Sequence, residues 1–209
     1  MMREGEFIPT GTCFAVSDRY LLTAQRNMDK KRLVGYGIAS SVSKTNGVED
    51  IPEDFHFVDI NCFNVLSDWA IVELSGSPFT EQTVPIPITT VEVKTDTDFV
   101  VFHMPISDYM FRGNDGISLF AAWMRTAKPR KHHVEGNGSL FKGSSGAPFV
   151  LRNGRAFAMH LESRNEVIRV YDGRRDDAEV HPSRCSGLYF KTCPELLRRL
   201  LELGVRTIN

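Results

Sequence analysis

Short apolar runs separated by turn residues recur along most of the chain. The runs are rich in Val, Ile, Phe and Tyr, which favour extended backbone, and Gly, Asn, Asp and Ser interrupt them. Many short strands at such spacing indicate an all-β protein built as a sandwich or as barrels. The predicted strands are Thr12–Val16, Tyr20–Thr23, Val34–Ser40, Phe55–Cys62, Ala70–Leu74, Phe99–His103, Ile117–Arg125, Ala147–Leu151 and Ala156–Leu161.

Two local patterns are sharper than the rest. Asn153 and Gly154 lie between two apolar runs and favour a two-residue hairpin with a type I′ turn. Near the C-terminus, four leucines at helical spacing follow a capping box that begins at Thr192, and Gly204 is a natural stop. These residues predict one α-helix at Pro194–Leu203.

The strand pattern is interrupted once over a longer stretch, Ser75–Thr90, where several Pro, Gly and Ser residues occur together. This interruption predicts two subdomains, residues 1–80 and residues 81–209 with the terminal helix, within one domain.

Composition narrows the class of protein without naming a function. The 209 residues carry 25 Lys+Arg against 26 Asp+Glu, a formal net charge of −1, which gives no global case for binding nucleic acid. No apolar run approaches the roughly 18–20 residues of a membrane span, and the acidic N-terminal stretch does not look like a signal peptide. We therefore expect a cytoplasmic protein, with the nucleus left open, and no membrane partner.

The cysteines and the charged stretches favour ordinary structural interpretations. The four cysteines form no CxxC pair, and no histidine completes a zinc site, so free thiols and no metal or cofactor are expected. Two strongly charged stretches, Arg125–His133 and Asp172–Asp177, are interpreted as solvated loops. A basic loop that binds RNA or an acidic partner is the less favoured alternative.

The segment Lys142–Pro148 (KGSSGAP) carries the strongest chemical signal. A serine between glycines before a strand can be held on a tight loop with its hydroxyl exposed. With Gly143 at the turn, the N–H groups of Gly143 and Ser145 can converge on one point and stabilise the oxyanion of a tetrahedral intermediate. Ser145 is therefore a candidate nucleophile and Gly143 a candidate oxyanion-hole residue.

Other motifs surround this loop in a characteristic order. Upstream lie Gly11–Ser17 (GTCFAVS), Leu21–Asn27 (LLTAQRN) and Asp68–Leu74 (DWAIVEL), and Ser186–Lys191 (SGLYFK) precedes the predicted helix. With GSSGAP, this order resembles the chymotrypsin-like (trypsin-like) serine peptidases over nearly the whole chain. The resemblance implies two six-stranded antiparallel β-barrels with a site in the cleft between them. It also implies that residues 26, 68 and 145 occupy the catalytic triad positions.

The chain departs from that family where the general base should be. The family's histidine corresponds to Arg26, whose guanidinium has no lone pair to offer and a pKa above about 12. Arg26 is instead expected to form a bidentate salt bridge with Asp68. No other histidine belongs to a segment that the resemblance brings to Asp68 and Ser145. The six are His56, His103, His132, His133, His160 and His181.

Smaller features refine the resemblance. Ser144 stands where the digestive enzymes carry an acid, and Asn27 replaces a disulfide cysteine, which together favour the intracellular and viral-type branches. Ala158–Glu162 (AMHLE) is similar to a segment of viral 3C-type proteases whose histidine selects glutamine or glutamate in the substrate. The resemblance implies that His160 and Ser139 line a substrate-binding pocket, although His160 can equally be a histidine packed in a strand.

Three functional hypotheses follow. The first is a pseudoprotease that binds a protein or peptide in the cleft after loss of the base. The second is an active serine endopeptidase with Ser145 as nucleophile and an unusual or mutated base. The third, a nucleic-acid-binding module that works through the basic loop, is the least favoured. The sequence gives no substrate, partner identity or oligomeric state.

Overall fold

The protein was analysed as a computed structural model. It describes residues 2–3, 6–7, 9–28, 35–39, 42–45, 48–49, 55–79, 83–104, 116–117, 119–129, 131–138, 140–164, 167–171, 176–180 and 184–209. Two of the residues considered above, Ser139 and His181, lie outside these ranges.

Twenty strands and one α-helix make up the described regular structure, together with 3₁₀ turns at Gln25–Met28 and Phe190–Thr192. The helix, α1, spans Pro194–Glu202. The strands of the first half are β1 (Met2–Arg3), β2 (Glu6–Phe7), β3 (Cys13–Ala15), β4 (Tyr20–Thr23), β5 (Tyr36–Ile38), β6 (Val42–Thr45), β7 (Val48–Glu49), β8 (His56–Asn64), β9 (Trp69–Leu74) and β10 (Ile88–Thr89). Those of the second half are β11 (Asp98–His103), β12 (Gly116–Ile117), β13 (Phe120–Pro129), β14 (His133–Asn137), β15 (Pro148–Leu151), β16 (Ala156–Arg164), β17 (Val167–Tyr171), β18 (Asp176–Val180), β19 (Arg184–Tyr189) and β20 (Thr207–Ile208).

Two sheets dominate the fold, and both are antiparallel except where β10 joins the second sheet by parallel pairing with β16 and β20. Residues 13–74 form a five-stranded sheet in the order β3-β4-β9-β8-β5. In the second sheet, β15, β11, β13, β14, β19 and β16 pair in that order, and β16 pairs again with β15. That second pairing closes a six-stranded barrel. Within the described residues the first sheet stays open, which differs from the two six-stranded barrels that the resemblance implies.

The largest buried cluster joins the two sheets to the terminal helix. It contains Leu22 and Trp69 from the first sheet, Met159 from the second, and Leu196 and Leu200 from α1. The alternation of buried and exposed leucines along the helix follows its 3.6-residue period, because one face packs on the sheets. The predicted all-β fold with two barrel-type sheets and a C-terminal helix is confirmed.

Most predicted strands are present, and two local predictions, a turn type and a helix cap, need correction. The hairpin at Asn153 and Gly154 exists, but only Gly154 has a positive φ (78°), and its N–H bonds to the Leu151 carbonyl. A type I′ turn needs positive φ at both central residues, so that prediction was wrong. The Thr192 hydroxyl bonds to the Tyr189 carbonyl and does not cap α1, which begins after Cys193 without a side-chain cap.

The basic stretch Arg125–His133 is not a simple loop. Residues up to Pro129 belong to β13 and pair there with β14, which begins at His133. The Arg125 guanidinium is neutralised by Asp98, at 2.8 Å. The predicted strand ended at Arg125, and its continuation to Pro129 was missed because charged residues on the outer face of a barrel hide its alternating pattern. Among the described residues, no helix has both the length and the apolar character needed to cross a membrane.

Candidate active site at the junction of the two sheets

Glycines fix the loop that carries Ser145. Gly143 and Gly146 have φ angles of 100° and 92°, in the region that side chains disfavour. A Cβ on Gly146 would lie 2.0 Å from the Thr12 carbonyl oxygen and 2.6 Å from the Thr23 hydroxyl oxygen. The loop can therefore approach the first sheet this closely only because residue 146 has no side chain.

Backbone hydrogen bonds then fix the loop from both sheets. The Ser145 carbonyl accepts the Thr12 N–H at 2.9 Å and the Asn27 side-chain amide at 2.7 Å. On the other side, the Gly146 N–H donates to the His160 carbonyl at 2.8 Å. Because Asn27 directly follows Arg26, these bonds place the Ser145 loop beside residue 26.

Two N–H groups of the loop remain without a partner. In the part of the chain that the structure describes, neither the N–H of Gly143 nor that of Ser145 has a hydrogen-bond acceptor. Gly143 is nonetheless buried, and buried N–H groups are almost always paired in native proteins. These are the two donors that the sequence suggested for an oxyanion hole.

The hydroxyl of Ser145 is directed to a carbonyl and not to a base. Its Oγ donates to the Leu161 carbonyl at 3.1 Å. The two buried histidines have other side-chain partners: His103 pairs with Ser144 and His160 with Ser163. A backbone carbonyl cannot take the proton at neutral pH, so this contact holds the hydroxyl without activating it.

Arg26 and Asp68 form the ion pair that the sequence predicts, in a different pattern. The Arg26 N–H donates to Asp68 Oδ1 at 3.0 Å, and Arg26 Nε donates to Oδ2 at 2.6 Å. Arg26 Nη2 contacts the same Oδ2. Two nitrogens of the guanidinium therefore contact Oδ2 of the carboxylate, and the backbone N–H of Arg26 donates to Oδ1.

Asp68 has an unusual backbone conformation and is hydrogen-bonded to the segment that carries Arg26. Its φ angle is 53°, in the left-handed region, and its carbonyl accepts the Gln25 N–H at 3.3 Å. The preceding turn is held by Asn64, whose side-chain oxygen accepts the Ser67 N–H at 2.8 Å and whose amide donates to Glu195 of α1. Both oxygens of the Asp68 carboxylate are thus occupied by Arg26.

His160 lies directly behind the loop and is only 2% exposed. Its ring stacks on Phe149 with centroids 6.0 Å apart, and its Nδ1 has no partner among the described residues. Burial lowers the pKa of His160 to about 3, so the ring is neutral at physiological pH. Its predicted companion Ser139 lies outside the described residues, and the pocket formed by the two stays a prediction.

Sequence reasoning missed a buried hydrogen bond beside Ser145. Ser144 Oγ lies 2.7 Å from His103 Nδ1, and both side chains are buried. The only available signal was that Ser144 replaces an acid that the related enzymes carry. Nothing in the local sequence identifies His103, which is 41 residues away.

An open cavity of about 380 Å³ adjoins the ion pair, and Arg26 and Asp68 form part of its wall. Leu66, which is 97% exposed, also lines it. Leu161 and Glu162 continue the lining along β16. In the described part of the chain, no group of three or more His, Cys, Asp or Glu side chains is placed to hold a metal ion.

Comparisons with known proteins support the fold alone. No protein-family model matches the chain, and no curated protein matches it by sequence. Neuropsin, a serine protease expressed in the limbic system of mouse brain, aligns with a TM-score of 0.60 at 14% identity, over 92% of this chain and 89% of that chain. The active form of the M. tuberculosis Rv3671c protease gives 0.58 at 16% identity, over 95% and 76% of the two chains.

A double mutant of human heparin binding protein aligns with a TM-score of 0.59 at 10% identity, over 96% of this chain and 89% of that chain. All three alignments cover nearly the whole of this chain. The fold is therefore that of the chymotrypsin-like serine proteases.

Proposed function

We propose that this protein is a catalytically impaired member of the serine protease fold that binds a protein or peptide where the two sheets meet. The observation that carries the proposal is the ion pair of Arg26 with Asp68. In the resemblance to the serine peptidases, Arg26 stands at the position of the histidine that would take the Ser145 proton. Both groups are satisfied by each other, so neither is available as a base.

The chemistry explains why this arrangement should be slow. Acyl transfer by a serine requires a group that accepts its proton near neutral pH, and a guanidinium stays protonated up to a pKa above about 12. Loss of one triad member costs about three to six powers of ten in kcat. Because Ser145 Oγ already donates to the Leu161 carbonyl, its resting hydrogen bond does not lower that barrier.

The remaining features support binding. The N–H groups of Gly143 and Ser145, which have no acceptor among the described residues, can donate to a ligand carbonyl oxygen. The unpaired Nδ1 of His160 is a second buried polar atom in the same region. A neutral imidazole pairs well with an amide, so we propose that His160 and Ser139 select a glutamine-like or otherwise polar side chain.

The main experiment compares labelling by a fluorophosphonate probe and peptide-library hydrolysis in four proteins. The wild type should show neither, and Arg26→His should gain both. Arg26→Gln removes the charge without supplying a base and should stay inactive, and Ser145→Ala is the blank. Turnover by the wild type that disappears in Ser145→Ala would show that another base exists. The active-endopeptidase alternative would then replace this proposal.

Binding is tested with immobilised peptides that carry either glutamine or leucine at a single varied position. His160→Ala should weaken binding to the glutamine peptides about tenfold, the effect of one hydrogen bond worth about 1.4 kcal/mol. His160→Phe keeps a ring against Phe149 and separates lost recognition from lost packing. Equal binding of both peptide sets by wild type and variants would contradict the proposed selectivity.

A further inference from the structure

The hydrogen bond between Ser144 and His103 lies immediately behind the nucleophile loop. Ser144 is 0% exposed and His103 is 4% exposed, and their Oγ and Nδ1 atoms are 2.7 Å apart. His103 is the last residue of β11, a strand of the closed barrel. The loop is therefore anchored to a rigid element through a side chain that no solvent reaches.

A second contact ties the same two segments together. The Thr12 hydroxyl donates to the Gly143 carbonyl at 2.9 Å and accepts the Met104 N–H at 3.1 Å. One hydroxyl thus joins the residue before Ser144 to the residue after His103. The end of β11 and the start of the loop are linked twice, once directly and once through Thr12.

Ser144 lies between the two unpaired donors of the loop. The N–H of Gly143 precedes it and the N–H of Ser145 follows it, so the placement of Ser144 sets the direction of both. Its own N–H donates to the Phe141 carbonyl at 3.1 Å, and its carbonyl accepts the Ala147 N–H at 2.9 Å. Among the described residues, His103 is the hydrogen-bond partner of the Ser144 hydroxyl.

We propose that His103 and Ser144 are positioning residues whose buried hydrogen bond holds the N–H groups of Gly143 and Ser145 ready for a ligand oxygen. Burial lowers the pKa of His103, which keeps the ring neutral. The use of those N–H groups by a ligand rests on the proposed function. The control of loop order by His103 does not, and it can be tested alone.

The first measurement is amide hydrogen exchange by NMR in the wild type, His103→Phe, His103→Asn and Ser144→Ala. The Ser144 and Gly146 N–H groups report on the loop, and the Gly154 N–H, bonded to Leu151 in a distant turn, is the internal control. His103→Phe and Ser144→Ala should speed exchange in the loop at least about tenfold and leave Gly154 unchanged. His103→Asn retains a polar group near the Nδ1 position and should restore most of the protection.

The second measurement is the rate of fluorophosphonate labelling of Ser145 in an Arg26→His background. Adding His103→Phe should slow labelling at least about tenfold, and adding His103→Asn should recover it, because the phosphonyl oxygen needs both donors. Unchanged loop exchange in His103→Phe and Ser144→Ala would overturn the inference. Equal acceleration at Gly154 would also overturn it, since the pair would then serve only global stability. If Arg26→His alone is never labelled while exchange changes as expected, the proposed function fails and the positioning role stands.

Discussion

The buried state of His160 makes a quantitative prediction about acid stability. The side chain is 2% exposed, and burial, assisted by the nearby Arg26 charge, lowers the pKa of His160 from 6.5 to about 3. The unfolded chain takes up a proton on this residue below about pH 6.5, whereas the folded chain does not. The free energy of unfolding must therefore fall as the pH drops below 6.5.

The size of the loss in unfolding free energy follows from the lowered pKa of His160. Each pH unit below 6.5 costs about 1.4 kcal/mol while only the unfolded state is protonated, so His160 contributes a loss of about 2 kcal/mol between pH 7 and pH 5. The carboxylates change little in this window, because their ordinary pKa values lie near 4. His103, whose pKa burial also lowers, adds to the loss in the same direction.

The assay is urea unfolding at pH 7 and pH 5 in the wild type and in His160→Phe, which keeps a ring against Phe149. The difference in unfolding free energy between the two pH values should shrink by about 2 kcal/mol in the variant. His132→Phe, at an exposed position, should leave that difference unchanged. The burial argument is refuted if wild type and His160→Phe lose the same free energy, or if NMR shows the His160 ring titrating above pH 5.

Two packing predictions have matched controls. Gly146→Ala should cost about 3 kcal/mol or more in denaturant unfolding, because the added Cβ would meet the Thr12 carbonyl at 2.0 Å. Gly154→Ala, at φ 78° but in open space, should cost only about 1 kcal/mol, and equal losses would contradict the steric argument. Leu200→Ala should cost about 3 kcal/mol because Leu200 is fully buried, while Leu201→Ala, 71% exposed, should cost under about 0.5 kcal/mol. Similar melting temperatures for the two leucine variants would show that α1 does not pack as described.

Structural features that depend on residues close together in the chain could be predicted from the amino-acid sequence. Strand residues alternate or cluster within a few positions, and the leucines before Gly204 repeat at helical spacing, so the strands and α1 could be predicted locally. The Asn153 hairpin could also be located, although not its turn type. The ordered motifs around Arg26, Asp68 and Ser145 further indicated which distant residues meet, and the Arg26–Asp68 pair does form.

The loop at Ser145 is held by contacts between residues that are distant in the sequence, which could not be predicted without the tertiary structure. The bond of Ser144 to His103, and of Ser145 Oγ to the Leu161 carbonyl, join positions 41 and 16 residues apart. Whether such groups meet depends on the register of strands as the barrel closes, and no local pattern encodes that register. That residue 26 is an arginine, which cannot act as a base near neutral pH, was visible in the sequence. That the N–H groups of Gly143 and Ser145 have no acceptor among the described residues could be seen only from the hydrogen bonds of the folded loop.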